Sequence, residues 1–488
     1  MKLGKHIFGV GMMTGISRIF GFIRDMLIAR FLGAGRLSDI FLAAFKLPNL
    51  FRDLLGEGAL SAIFIPMYTD TKKDENFAKN VFSWLMVVLL GLTIVFEIFM
   101  PLVIWALAPG FADDPGKMQL TVVVARIMFF YVIFICGTAF LSAVLNAHSR
   151  FLLAAFMPVM LNIMLIMALL GAFWYGNQYI IYVLSGTVVL SGIIQFLVLW
   201  IRIVRKHFGL RLIIPHWNKQ IKSMFNRFLV SLVGSGFYQI TIILGTLVAS
   251  FESGAVSWLY YSDRIVQLPF AMIGLAVGTV LISSISNALA ENNMRSVYIQ
   301  QNSSTRRSMM LIVPCMIGLI ILAEPIIRFL FQYGAWTPES TRAVARAIQI
   351  QSLVLPAMLI NQIYSKTLYA TQDVKTPVKT SMVSLGIASV IYLALFPFVG
   401  YLSIPIGVVI SGYVKNYLLR HVCYKRGLIK PSNKTIFATI AFTIISCILG
   451  SVFFIIPITN IWILGLAIGG FGVVYLPTAY IVDRKIIK

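Results

Sequence analysis

The sequence predicts an all-α polytopic membrane protein of about fourteen spans, and three observations predict it. Hydrophobic residues make up 59% of the 488-residue chain and charged residues only 12%. A soluble domain carries about 25% charged residues and under half apolar ones. The apolar residues are gathered into long runs, and ~20 of them suffice for one crossing. The cations are gathered between the runs. Forty Lys and Arg against seventeen Asp and Glu leave a net charge of +23. In a soluble chain that excess would suggest nucleic acid, but its placement here makes it a signal of orientation.

Taken in order, the runs fall at 7–33, 37–68, 80–108, 118–146, 152–174, 179–201 and 223–251. They continue at 255–289, 308–332, 342–369, 378–398, 401–423, 435–456 and 460–482. Gly33-Ala34-Gly35, Pro109-Gly110, Tyr175-Gly176-Asn177, Pro338 and Pro397 supply the turns between them. The first run is interrupted by Arg18, Arg24 and Asp25 and lacks a small-residue cleavage site, so it reads as a retained span rather than a signal peptide. Alternate loops are basic: Lys72, Lys73 and Lys79, then Arg150, then Arg202, Arg205 and Lys206, then Arg306 and Arg307, then Lys425 and Arg426. The opposite set holds only Arg36 and Lys117 before Arg342. Both termini are therefore expected in the cytoplasm. Cys136, Cys315, Cys423 and Cys447 form no CxxC pair and the histidines show no ligand spacing, so neither a metal nor a cofactor is expected.

A faint internal repeat aligns Gly15-Ile16-Ser17 through Phe31 with Ser235-Gly236-Phe237 through Phe251. Lys46-Leu47-Pro48 then matches Gln267-Leu268-Pro269. Six spans separate the copies, an even number, so the halves share one orientation. The expectation is two parallel-repeated six-helix bundles, 1–216 and 217–428, followed by two further helices within 429–488. Alternating-access transporters use such repeats, with the substrate site between the halves.

Charges inside the spans carry the functional signal. One charge near the bilayer centre costs ~2.5–3.5 kcal/mol even on a lenient scale. In the first span Ser17 and Arg24 share one helical face, while Arg18 and Asp25 lie on another about 100° away. Gly15 and Gly21 would let a backbone or ligand come close. The second span carries Asp39, Lys46, Asn49, Arg52, Asp53 and Glu57 around Pro48 and Gly56-Glu57-Gly58, which predicts a bent or locally unwound helix. The eighth brings Ser262-Asp263-Arg264 and Gln267 before Pro269. Internal pairing is one reading: Arg24 or Arg18 with Asp25, and Arg52 with Asp39 or Glu57. Convergence is the other. If Arg18, Arg24, Lys46, Arg52 and Arg264 meet, they make a cavity with surplus positive charge. Guanidinium forks suit a diphosphate, with Ser17 and Asn49 beside them and Asp25, Asp39 and Glu57 holding the cations between cycles. Gln372 to Pro377 reads more plainly as a helix start, with Thr376 as N-cap and Pro377 at the first helical position.

The run from Ser17-Arg18-Ile19 to Arg24-Asp25 resembles the opening signature of the MurJ (MviN) lipid II flippases. So do Asp39-Ile40-Phe41, Leu47-Pro48-Asn49-Leu50-Phe51-Arg52, Gly56-Glu57-Gly58-Ala59, Tyr261-Ser262-Asp263-Arg264 and Phe331-Gln332-Tyr333-Gly334. The resemblance covers the whole chain. It implies a fourteen-helix member of the MOP exporter superfamily in the bacterial inner membrane. Such a protein moves undecaprenyl-diphosphate-linked disaccharide-pentapeptide (lipid II) to the periplasmic leaflet for cell-wall synthesis. It further implies that Arg18, Arg24, Arg52 and Arg264 line a central cavity and that a groove beside the last two helices takes the lipid tail. Lipid II, membrane lipids and cell-wall synthesis proteins are the partners so implied. Ile242 to Thr246 has no acid, and Gln267 stands where some members carry one, so sodium coupling by that route is not expected and the energy source stays open.

Two alternatives stay open on the residues alone. One is another MOP-type exporter, for O-antigen lipid or drugs, although cationic drugs call for acids and the usual helix count is twelve. The other is a membrane glycosyltransferase, which needs a positioned acid or base. Asp113-Asp114, in a short loop, is the paired acid available on the outer side.

Overall fold

The computed structural model describes residues 2–54, 59–71, 73–175, 179–206, 208–291, 293–430, 432–454 and 460–487. Among these every long element is a helix, and the chain falls into two compact units. The first comprises Met1–Val256 with Tyr333–Trp336, and the second Ser257–Gln332 with Thr337–Lys488.

Unit 1 contains α1 (Lys2–Leu32), α2 (Arg36–Phe51), α3 (Ala59–Asp70), α4 (Glu75–Leu107) and α5 (Pro115–Phe129). It continues with α6 (Tyr131–Ala147), α7 (Phe151–Tyr175), α8 (Ile180–Arg205) and α9 (Lys219–Ala249). Local chemistry starts these helices where they start. Asp74 caps α4 by accepting from the Asn76 amide at 2.9 Å, and Asn218 caps α9 through the Ile221 amide at 2.8 Å. Asp114 caps α5 ahead of Pro115, whose missing N–H costs nothing at a first-turn position. Helix α1 packs on α7, α2 on α5, and α6 on α8. Aromatic rings fill the space where α3, α4, α6 and α8 meet: Phe64 lies 4.7 Å from Phe140, and Phe82 lies 5.5 Å from both Phe140 and Trp200.

Helix α2 holds Pro48 in its last turns, and a wide π-type turn over 52–54 follows Phe51. Helix is described again from Ala59, and Gly56-Glu57-Gly58, on which the expected unwinding falls, lies outside the described residues.

Helix α10 (Ala255–Ala290) leads into unit 2, which holds α11 (Met294–Phe331), α12 (Pro338–Gln351), α13 (Leu355–Ala370) and α14 (Lys375–Val399). Then come α15 (Ser403–Lys425), α16 (Asn433–Ser451) and α17 (Ile461–Ile487). Helix α11 packs against α12, α13, α16 and α17. The last helix is fixed to it by an Arg306–Asp483 ion pair and by the Tyr475 hydroxyl, which donates to the Met310 carbonyl at 2.9 Å.

Nine helices or helix runs among the described residues are long and apolar enough to cross a membrane by length and composition. Fourteen apolar runs were expected; of these α1 carries Arg18, Arg24, Asp25 and Arg30, α2 and α3 are each short, Lys375–Lys425 counts once although it folds as α14 and α15, and the side chains of α9 and α10 are described only in part. The start of α14 also differs from expectation. Val374 stands at the cap position, and Asp373 just before it, not Thr376, closes the first turn: the Asp373 carboxylate accepts from the Thr376 amide at 3.0 Å and from the Thr376 hydroxyl.

Candidate functional site

The charged groups of unit 1 form two clusters. The first joins α1 to α7. Arg24 donates to the Asp25 carboxylate from Nη2 at 2.7 Å and from Nε at 3.1 Å, and its Nη1 donates to Asn162 Oδ1 at 2.9 Å. Asn162 in turn donates from Nδ2 to the Ser17 carbonyl at 3.1 Å. Arg24, Asp25 and Asn162 are 7%, 2% and 6% exposed, so this is a desolvated, mutually compensated group. Arg18, one turn and a half earlier, is exposed and makes no hydrogen bond or ion pair among the described residues. Gly15 faces open space and Gly21 faces Asn162 at ordinary contact distance.

The second cluster joins α2 to α9. Arg52 donates to Asp53 Oδ1 at 3.1 and 3.3 Å, and Gln239 donates to Asp53 Oδ2 at 3.3 Å. Lys46 donates to the Thr246 hydroxyl, and Asn49 donates to the Phe45 carbonyl of its own helix at 3.0 Å. Arg52 thus has Asp53 as a carboxylate partner; of the two acids expected for it, Asp39 is engaged elsewhere and Glu57 lies outside the described residues. Asp39 is wholly buried and accepts from Lys117 Nζ and from the Gly254 amide, each at 2.8 Å. Lys117, expected in an outer loop, is itself buried and lies 4.0 Å from the Phe111 ring centre. Nearby, Arg36 and Asp114 form an exposed pair at 2.9 Å, and that guanidinium together with the Lys117 amide holds the Asp114 carboxyl below its usual range.

The segment Tyr333–Trp336 belongs to unit 1 because it docks on the end of α1. The Ala335 amide donates to the Arg30 carbonyl at 2.8 Å. Gly33 and Gly334 make this contact with φ of +69° and +64°, and a Cβ on Gly334 would meet the Arg30 carbonyl oxygen at 2.3 Å.

In unit 2 the expected site residue is Arg264. It is exposed, with its guanidinium 4.9 Å from the Tyr260 ring centre and Nη2 donating to the Tyr260 hydroxyl at 3.0 Å. Gln351 donates to the neighbouring Asp263 and accepts from the Ser262 hydroxyl at 3.2 Å. Sequence reasoning missed Asn162, Gln239, Thr246 and Gln351. Asn162 had a readable signal, because it is a lone amide in the otherwise apolar α7. Among the described residues no group of three or more His, Cys, Asp and Glu side chains is placed to hold a metal.

The profile of the family described as "Lipid II flippase MurJ" matches residues 28–470. The "Probable lipid II flippase MurJ" of Rhizobium tropici is 34% identical over 436 residues, covering 88% of this chain and 82% of that one. The chain belongs to the MurJ family of lipid II flippases.

Two solved structures share the fold. One, described as lipid II flippase MurJ in an inward closed conformation, superposes with a TM-score of 0.84 at 24% identity, covering 98% of this chain and 99% of that one. An inward-facing multidrug resistance MATE family transporter of the MOP superfamily gives 0.69 at 15% identity, over 84% of this chain and 94% of that one. The protein is thus a multi-pass inner-membrane flippase, a transporter rather than an enzyme, and the glycosyltransferase alternative falls.

Proposed function

We propose that this flippase holds the diphosphate of lipid II with Arg18, Arg24, Arg52 and Arg264, and that Ser17, Lys46 and Asn49 contact the head group. The observation that carries the reading is the state of the first-helix arginines: Arg24 is oriented on both sides by Asp25 and Asn162, while Arg18 keeps its fork unengaged among the described residues. A pre-set guanidinium on the same helix as an open one supplies forks for a ligand with two linked phosphates. Asp25, Asp39 and Glu57 act as the acids that exchange partners during the cycle. The chain crosses the membrane fourteen times with both termini inside. Residues 1–216 and 217–428 act as the two alternating bundles, and 429–488 guide the polyprenyl tail. A large glycan and its charges cannot otherwise cross ~30 Å of hydrocarbon. Cell-wall synthesis proteins take up the product.

Arg24→Ala and Arg264→Ala are expected to abolish translocation of a labelled lipid-linked precursor while leaving membrane insertion intact. Wild-type translocation by either well-expressed variant would remove that arginine from the site.

A further inference from the structure

We propose that unit 1 carries a binding site for an anionic glycerophospholipid, with the phosphate held by Arg150, Arg202 and Arg205 and an acyl chain laid along Leu152, Phe156 and Ile201. These residues line one open cavity of about 860 Å³, within the range of small-molecule sites, built where the end of α6, the start of α7 and the end of α8 come together.

Each part of the cavity has a chemical reason to take such a lipid. Arg202 and Arg205 stand three residues apart in the last turn of α8, so their side chains leave the helix on one side. Arg150 reaches the same space from the turn between α6 and α7. That turn is held by the Arg150 amide on the Leu145 carbonyl at 2.9 Å and by Ser149 at φ +59°, and the Arg150 guanidinium lies 5.8 Å from the Phe208 ring centre. Among the described residues no carboxylate lines the cavity and none of the three arginines is paired with an acid. Helix α7 begins here at Phe151, which adds the positive end of its dipole.

Orientation signals alone require only that cations lie in this loop region, pointing anywhere. They do not require three arginines to share one cavity with an apolar wall. That wall is exposed: Leu152 is 52% and Ile201 46% accessible, which suits an acyl chain lying along it. A basic pocket between membrane helices on the cytoplasmic side is the arrangement that captures anionic head groups. The site is separate from the proposed substrate residues and rests on the orientation proposed above only for naming the leaflet.

The test uses the full chain, delipidated and reconstituted in phosphatidylcholine nanodiscs with phosphatidylglycerol as the probe. Retained lipid is counted by native mass spectrometry. The unmodified chain is expected to retain phosphatidylglycerol in preference to phosphatidylcholine. The triple variant Arg150→Gln, Arg202→Gln, Arg205→Gln is expected to bind it roughly a hundredfold more weakly, while Arg→Lys at all three positions keeps most of the preference. Equal retention by the Gln triple and the unmodified chain would overturn the proposal. So would displacement of the lipid by a lipid-linked diphosphate at stoichiometric amounts, which would give the cavity to the transported substrate. Photo-crosslinking of the unmodified chain gives an independent readout: adducts within 149–156 and 198–205 support the site, and their absence rejects it.

Discussion

The buried pair Asp39–Lys117 allows a quantitative test of how the α2–α5 contact is held. Asp39 is 0% exposed and Lys117 5%, and their 2.8 Å contact is shared with the Gly254 amide. Lys117→Met keeps the volume of the side chain but removes the ammonium that compensates Asp39. Breaking one side of a buried pair costs about 3–5 kcal/mol. Losing the cation over the Phe111 ring adds about 0.5–2 kcal/mol. Asp39→Asn keeps an acceptor for the Gly254 amide but strands the lysine, again at about 3–5 kcal/mol. In the double variant neither charge remains, and replacing such a pair by uncharged groups is often neutral or stabilising by about 1–4 kcal/mol. The double variant should therefore unfold later than either single one in a detergent-denaturation titration, with a coupling energy of about 3 kcal/mol or more. Losses that simply add, within about 0.5 kcal/mol, would show that the two groups are not a desolvated pair in the folded protein.

Three further outcomes follow from the same contacts. Asn162→Ala removes one charge-assisted bond to Arg24, worth about 1.5–3 kcal/mol, and should slow translocation roughly 10–100-fold, with partial rescue by Asn162→Gln; an unchanged initial rate in vesicles would reject the positioning role. Gly334→Ala forces a left-handed residue against the Arg30 carbonyl and should destabilise by more than about 1–2 kcal/mol, whereas Gly15→Ala, facing open space, should be neutral or stabilising by about 0.5–1 kcal/mol; thermal melts that rank the two in reverse would contradict the steric account. At the turn before α14, burial alone would raise the Asp373 carboxyl, but hydrogen bonds from the Thr376 hydroxyl and amide and from Arg426 outweigh it and hold the group down to about 2. The folded state therefore binds fewer protons than the unfolded one as pH falls from 3.8 toward about 2, and the cap is lost across that window and not above it. Hydrogen exchange at the Thr376 amide should stay slow down to pH 4, and early loss of protection near pH 5 would refute the cap.

Much of the helix inventory was legible because hydropathy is a local property. The run at 152–174 became Phe151–Tyr175, and 80–108 became Glu75–Leu107. Ends set by polar chemistry were harder to read. Helix α11 starts at Met294, well before its apolar run, because Asn293 caps a polar extension that hydropathy does not register. The α14 start was missed in the same way, since Thr376 and Asp373 both have capping side chains and only the surrounding geometry chooses between them. Within the site, the arginines stood out because charge inside an apolar run is itself anomalous. Among their partners, Asp25 was legible beside Arg24, but the distant ones were not. Arg24 meets Asn162 across 138 residues, Asp39 meets Lys117 across 78, and Lys46 meets Thr246 across 200, and no local periodicity encodes such contacts. For Arg52 the sequence offered Asp39 or Glu57; Asp39 pairs with Lys117 instead, and Asp53, next in the chain, contacts Arg52 without closing any loop.

The Arg24–Asp25 contact also bears on how the protein is made. Its partners are chain neighbours, so the positive charge is compensated as soon as α1 is synthesised. Asn162, the next partner, emerges 138 residues later, an interval of roughly 7–28 s at ordinary translation rates. During that time a lone arginine would oppose transfer of α1 into lipid by about 2.5–3.5 kcal/mol. With Asp25 beside it, Arg24 adds no net charge to α1 as the helix enters the bilayer and waits there for α7. The two residues thus let the nascent chain store a buried arginine before the rest of its site exists.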